Sequence, residues 1–120
     1  MFIRLLKTIK ADLEEDEKVS LEVSSFDLCS VVYRMPDQYF VFALNQPLDL
    51  IRNLLLWMQS VIENKVLSDG LRVVDDTRVI FDKGSKLPSF HRIFNELCVV
   101  YDGALKEQGN RTLLSEAHFN

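Results

Sequence analysis

The side chains in this sequence that could do chemistry are two histidines, two cysteines and several runs of carboxylates, and their spacing decides what is open to them. Neither His91 nor His118 has a second strong metal ligand three or four residues away. No Cys-x-x-Cys or His-x-x-x-His pair occurs, which excludes the common metal-ligand spacings. On a helix, His91, Asn95, Cys98 and Asp102 fall along one polar edge. The step from His91 to Cys98 is then about 10 Å at 1.5 Å per residue. A general base must sit within about 3 Å of its nucleophile, so a Cys–His dyad fails on distance, and His91 reads as a residue at the rim of the core. Gly70, Gly84, Gly103 and Gly109 stand singly, with no glycine-rich phosphate loop. Asp75 and Asp76 read as turn formers. The expectation is a protein that is not an enzyme and carries no metal or other cofactor.

The elements that must hold these groups belong to a chain of ordinary soluble composition. It has 120 residues, 48 % of them hydrophobic and 27 % charged, which suits one domain that buries about two-thirds of its unfolded surface. A net charge of −4 speaks against nucleic acid as the main partner, because phosphate binding needs a basic surface. Cys29 and Cys98 sit among apolar neighbours and read as buried free thiols of a reducing compartment. Charges interrupt every apolar run near the N-terminus, unlike a signal peptide, and "NLLLWM" is far too short to span a bilayer. Arg4, Lys7 and Lys10 form a basic strip, but three charges followed by four acids make a weak membrane contact. The expectation is a cytoplasmic location and no membrane partner.

Phe2, Leu5, Leu6, Ile9 and Leu13 recur at helical spacing and predict a first helix from residue 2 to 13 or beyond, frayed near Asp16 by the acids at its end. Val19, Leu21 and Val23 alternate with polar residues, which predicts a half-buried strand. "DLCSVVYR" and "QYFVFAL" read as a hairpin around Pro36-Asp37. Asn45 or Gln46 before Pro47 and Asp49 predicts the start of a second helix. "LRVV" and "RVIF" flank "DDT" as a second hairpin. A last helix carries the stripe Phe90, Phe94, Leu97, Tyr101 and Leu105 and stops at Gly109-Asn110. The predicted fold is α+β: a single domain over residues 1–108 in the order α-β-β-β-α-β-β-α, with a five-stranded, mainly antiparallel sheet packed by helices. Residues 109–120 read as a C-terminal tail.

The second helix carries the most informative pattern. At 100° per residue, Leu50, Ile51, Leu54, Leu55, Trp57, Met58, Val61 and Ile62 fill an arc of about 160°. Leu56 falls at about 240°, on the polar side, and Val99 is similarly misplaced on the last helix. An arc this wide, together with Leu56, predicts self-association, although one buried leucine contributes only about 1.5–3 kcal/mol to it.

The segments "FIRLLKTI", "VSLEVSS", "DLCSVVYR", "QYFVFAL", "LIRNLLLWMQSVI", "LRVVDDTRVIF" and "FHRIFNELCVVYDGAL" resemble in layout the small acidic class I chaperones of type III secretion systems. The join "NQP" is shorter than that family's apolar connection. The resemblance implies a homodimer, formed through the second helix, that holds an unfolded stretch of a secreted effector protein on apolar patches and strand edges. Leu50, Asn53, Leu56 and Trp57 on the helix, with Val19, Leu21 and Val23 on a strand edge, are then the expected partner-binding residues. The alternative is an immunity or inhibitor protein that plugs a basic toxin, such as a nuclease. Its acidic patch would be drawn from Asp12, Glu14, Glu15, Asp16 and Glu17, or from Asp75, Asp76 and Asp82, with binding that weakens in salt.

Overall fold

The computed structural model describes residues 2–39 and 47–119, with backbone alone at residue 47 and at 108–119. The order is α1 (Phe2–Glu17), α2 (Ser25–Tyr33), a single 3-10 turn (Asp37–Tyr39), α3 (Pro47–Glu63), α4 (Lys65–Gly70) and α5 (Lys86–Phe119). Among the described residues there is no strand, only one isolated antiparallel bridge between Arg72 and Val79. The α+β expectation is therefore overturned. The protein is helical, and its core lies where α3 packs on α5 and α1 packs on both α2 and α5.

Leu54, Met58 and Val61 of α3 meet Phe90, Ile93 and Leu97 of α5, with Leu6 of α1 and Leu28 and Val31 of α2, all fully buried. Each such side chain contributes about 1.5–3 kcal/mol of burial free energy. The stripes of α1, α3 and α5 are thus the stripes of the sequence, but they face one another and not a sheet.

The backbone hydrogen bonds explain why the predicted strands do not form among the described residues. "VSLEVSS" does run extended between α1 and α2, with Leu21 and Val23 buried and Val19, Ser20 and Glu22 exposed. Its N–H groups go to side chains instead of a ladder. Leu21 N–H donates to Glu14 at 3.0 Å, Glu22 N–H to Ser89 Oγ at 3.1 Å, and Ser24 N–H to Asp27 at 3.0 Å. "DLCSVVYR" is α2 instead of a strand, because Ser24 and Asp27 form a reciprocal capping box that starts a helix. Of "QYFVFAL", Tyr39 lies in the 3-10 turn, and residues 40–46, with the expected cap at Asn45 or Gln46, lie outside the described residues.

The second predicted hairpin shrinks to a turn. Val73 N–H reaches Arg78 O at 3.0 Å and Ile80 N–H reaches Leu71 O at 2.7 Å. Beyond these, α2 supplies the partners that a third strand would have supplied. Val74 N–H donates to Ser30 Oγ at 3.1 Å, and Arg34 donates to the carbonyls of Arg72 and Val73 at 3.1 and 2.9 Å.

The helix ends also differ from expectation. α1 does not fray near Asp16 but reaches Glu17, helped by the Lys10–Glu14 pair at 3.0 Å, and gives way at Lys18, whose φ is 54°. α5 crosses Gly109-Asn110 without a stop. α4, which the sequence reading passed over, begins at Asn64, whose side chain accepts from Leu67 N–H at 3.1 Å.

Candidate functional site

Two gatherings of charged side chains among the described residues bear on function. The first is buried, where the start of α2, the turn at residues 71–80 and the start of α5 meet. The Asp27 carboxylate is fully buried; Arg78 Nη2 lies 2.7 Å from its Oδ1 and Lys86 Nζ 3.1 Å from its Oδ2. Lys86 also pairs with Asp82 at 2.8 Å. Burial pushes the Asp27 carboxyl up, but the Ser24 backbone N–H, Arg78 and Lys86 outweigh it and hold the group below the usual carboxylate range. Burial likewise pushes Lys86 down, and its bonds to Asp82 and Asp27 more than reverse that. No buried side-chain donor or acceptor among the described residues is left without a partner, and the cluster acts as a clamp between elements.

The second place is open. On the solvent side of α1, Ile3, Arg4, Lys7, Thr8 and Ala11 line a shallow hollow of about 500 Å³. Arg4 and Lys7 are both exposed, and among the described residues no carboxylate lines the hollow.

The residues singled out from the sequence are scattered over the fold. Leu56 lies on the outer side of α3, 43 % exposed, as its helical angle requires. Trp57 is 4 % exposed and its indole N–H donates to Val31 O at 3.0 Å, so it ties α3 to α2 and presents nothing to a partner. Leu50 and Asn53 are half-buried, and Asn53 donates to Tyr39 O at 2.7 Å. Leu21 and Val23 are core residues, while Val19 is exposed, and there is no sheet edge for the three to form.

The acids do not share one face either. Glu14 caps Leu21 N–H and pairs with Lys10; Lys10 first, then that backbone bond, holds its carboxyl below the ordinary value. Glu17 pairs with Arg92, whereas Asp12, Glu15 and Asp16 point to solvent. Asp75 accepts from the Thr77 hydroxyl and backbone within the turn, and Asp76, at φ 60°, pairs with Arg34 at 2.8 Å. On α5, His91 is exposed and stacks at 6.1 Å on Phe94. Burial first, and then the Asp102 charge, push the Cys98 thiol up, the opposite of what a nucleophile needs. Cys29 and Cys98 are both free. Among the described residues no three His, Cys, Asp or Glu side chains converge as a metal site, and no helix is long and apolar enough to cross a membrane.

Comparison with known proteins gives these features a context. Residues 1–101 match the family described as the cGAS/DncV-like nucleotidyltransferase C-terminal helical domain. The fold is similar to that of the STING-associated CdnE c-di-GMP synthase from Capnocytophaga granulosa. The TM-score is 0.74 and the identity 24 %, over 88 % of this chain and 33 % of that one. The chain thus spans one-third of the length of that synthase, and the likeness at this identity is one of fold. No curated protein matches the sequence. These findings overturn the resemblance to type III secretion chaperones and, with it, the effector-holding function. The immunity-protein alternative gains no support. The expectation of a non-enzymatic module falls as well, since the matched family is a domain of nucleotidyltransferases.

Proposed function

The chain belongs to the cGAS/DncV-like nucleotidyltransferase C-terminal helical domain family, and from that premise we propose that it works as the helical lobe beside a nucleotidyltransferase catalytic domain. In that role it forms one wall of the cleft in which nucleoside triphosphates are joined, with a cyclic dinucleotide as the class of product. Two-metal phosphoryl transfer needs converging carboxylates to hold the ions against the attacking and leaving oxygens. The described acids of this chain do not fit that task, because no three of them converge, and Asp27 and Asp82 are held by Arg78 and Lys86 while Glu14 and Asp75 are engaged with local backbone. No step of the transfer is assigned to them. What the chain contributes is a preformed shape: three long helices packed through one core, locked at the α2–α5 junction by the Asp27 clamp. We place this work in the cytoplasm, where nucleoside triphosphates are abundant and the free thiols of Cys29 and Cys98 stay reduced.

The observation that carries the reading is the family match, which runs from the start of α1 to Tyr101 on α5 and so covers the whole packed core. Its test is association. The purified chain is mixed with the cGAS/DncV-like catalytic domain encoded in the same host and examined by size-exclusion chromatography with light scattering. A stoichiometric complex of the two is expected. Two folded partners that elute separately at tens of micromolar would defeat the reading.

A further inference from the structure

On α5, Phe90, Ile93 and Leu97 face the core and are fully buried. On the opposite side Arg92, Glu96, Val99, Gly103 and Lys106 recur at alternating steps of four and three residues, the seam spacing of paired helices. Val99 in this seam is 63 % exposed and Val100 beside it 42 %. A lone exposed aliphatic residue such as Leu56 is ordinary, but the neighbours of Val99 are arranged to fit a copy of themselves. In an antiparallel pair centred at the level of Tyr101, Val99 of one chain falls opposite Gly103 of the other, and Glu96 falls opposite Lys106. One register satisfies both matches, and it brings Val100 beside Val100 of the second copy. Neither Glu96 nor Lys106 belongs to an ion pair among the described residues. A Cβ on Gly103 would meet nothing within 4 Å in the single chain, so another helix has room to come close there. The helix also outruns its own core. Beyond Tyr101 no described side chain of α5 is buried, yet the helix continues to Phe119. Gly103 and Gly109 each weaken a helix interior, and a helical stretch without tertiary packing holds poorly. The antiparallel register lays that stretch of each chain along the body of the other.

We propose that the outer face of α5 is a self-association surface, on which a second copy of this chain packs antiparallel with Val99 over Gly103 and Glu96 against Lys106. The seam from Arg92 to Lys106 is about 21 Å long at 1.5 Å per residue, short for a permanent interface, so the pair is a weak one. Sedimentation equilibrium of the full chain alone, over about 10 μM to 1 mM, should show the weight-average mass climbing from monomer toward dimer. Val99→Glu should weaken the pairing by about tenfold or more. Gly103→Leu should weaken it as well while the melting temperature holds level or rises, because leucine favours a helix and the single chain has room for it. Glu96→Lys and Lys106→Glu should each weaken the pairing, and the two exchanged together should restore it. A mass that stays monomeric to the top of that range overturns the proposal. So does a dimer that survives Val99→Glu, or a double exchange that pairs no better than either single one. A monomeric chain whose binding to the catalytic domain is lost on Val99→Glu would give this face to that domain instead, and likewise overturns it. The mass is read on the chain alone, so the pairing stands or falls separately from the helical-lobe reading.

Discussion

Replacing Asp27 with asparagine keeps the shape of the side chain and one acceptor for Ser24 N–H, and deletes the charge that faces Arg78 and Lys86. Breaking a buried ion pair from one side costs about 3–5 kcal/mol, because the surviving charge is left without compensation. Here two circumstances soften the loss. The Arg78 side chain is 32 % exposed and can turn to water, and Lys86 keeps Asp82 at 2.8 Å. The lower end, about 3 kcal/mol, is therefore expected, a large share of the roughly 5–15 kcal/mol that holds a domain folded. At a urea slope of about 1.5 kcal/mol/M, the unfolding midpoint falls by about 2 M. Trp57 is the sole tryptophan and is bonded to Val31 O, so its fluorescence reports directly on the α2–α3 contact. A second substitution, Lys86→Met, should recover part of the loss in the Asp27→Asn background by removing the orphaned charge. A midpoint that moves by less than about 0.5 M at unchanged slope refutes the clamp.

The same carboxylate sets an acid limit. Its folded pKa lies below the ordinary value, so its contribution is fully present above about pH 4, where the unfolded chain is also ionised, and is lost as pH falls through the folded pKa. In urea titrations at stepped pH, wild type and Asp27→Asn should therefore differ by a constant amount well above about pH 4 and draw together progressively as the pH falls below it toward the folded pKa. Leu54 is fully buried and Leu56 exposed, so Leu54→Ala should cost about 2–5 kcal/mol while Leu56→Asp stays within about 0.5 kcal/mol in thermal or urea melts. Lys18 ends α1 in the left-handed region, which strains any residue with a Cβ, and Lys18→Gly should raise stability by up to about 1 kcal/mol in the same assay.

The helices were legible in the sequence where the apolar stripe was long. α1, α3 and α5 each repeat it over three turns or more, and the outward angle of Leu56 followed from the same arithmetic. The strands were misread for two different physical reasons. In "VSLEVSS" the twofold alternation is real and places Leu21 and Val23 in the core. An extended connector alternates just as a strand does, and nothing local says that Glu14 and Ser89 take its N–H groups. In "SSFDLCSVVY" the β-branched run outweighed a start signal that was present, since Ser24 and Asp27 have capping-box spacing and the core residues Asp27, Leu28 and Val31 have helical spacing. With α2 taken for a strand, the sheet followed from it. The Asp27 clamp was out of reach of local reading, because Arg78 lies 51 residues away.

If this helical chain is the second lobe of a nucleotidyltransferase, as proposed, then adding it should complete the enzyme. Labelled GTP, ATP and magnesium are supplied to the catalytic domain alone, to the chain alone, and to both together, and the products are resolved by chromatography. Cyclic dinucleotide, formed at a clearly higher rate in the mixture than in either half, is the predicted result. Turnover by the catalytic domain that is unchanged when the folded chain is added contradicts it.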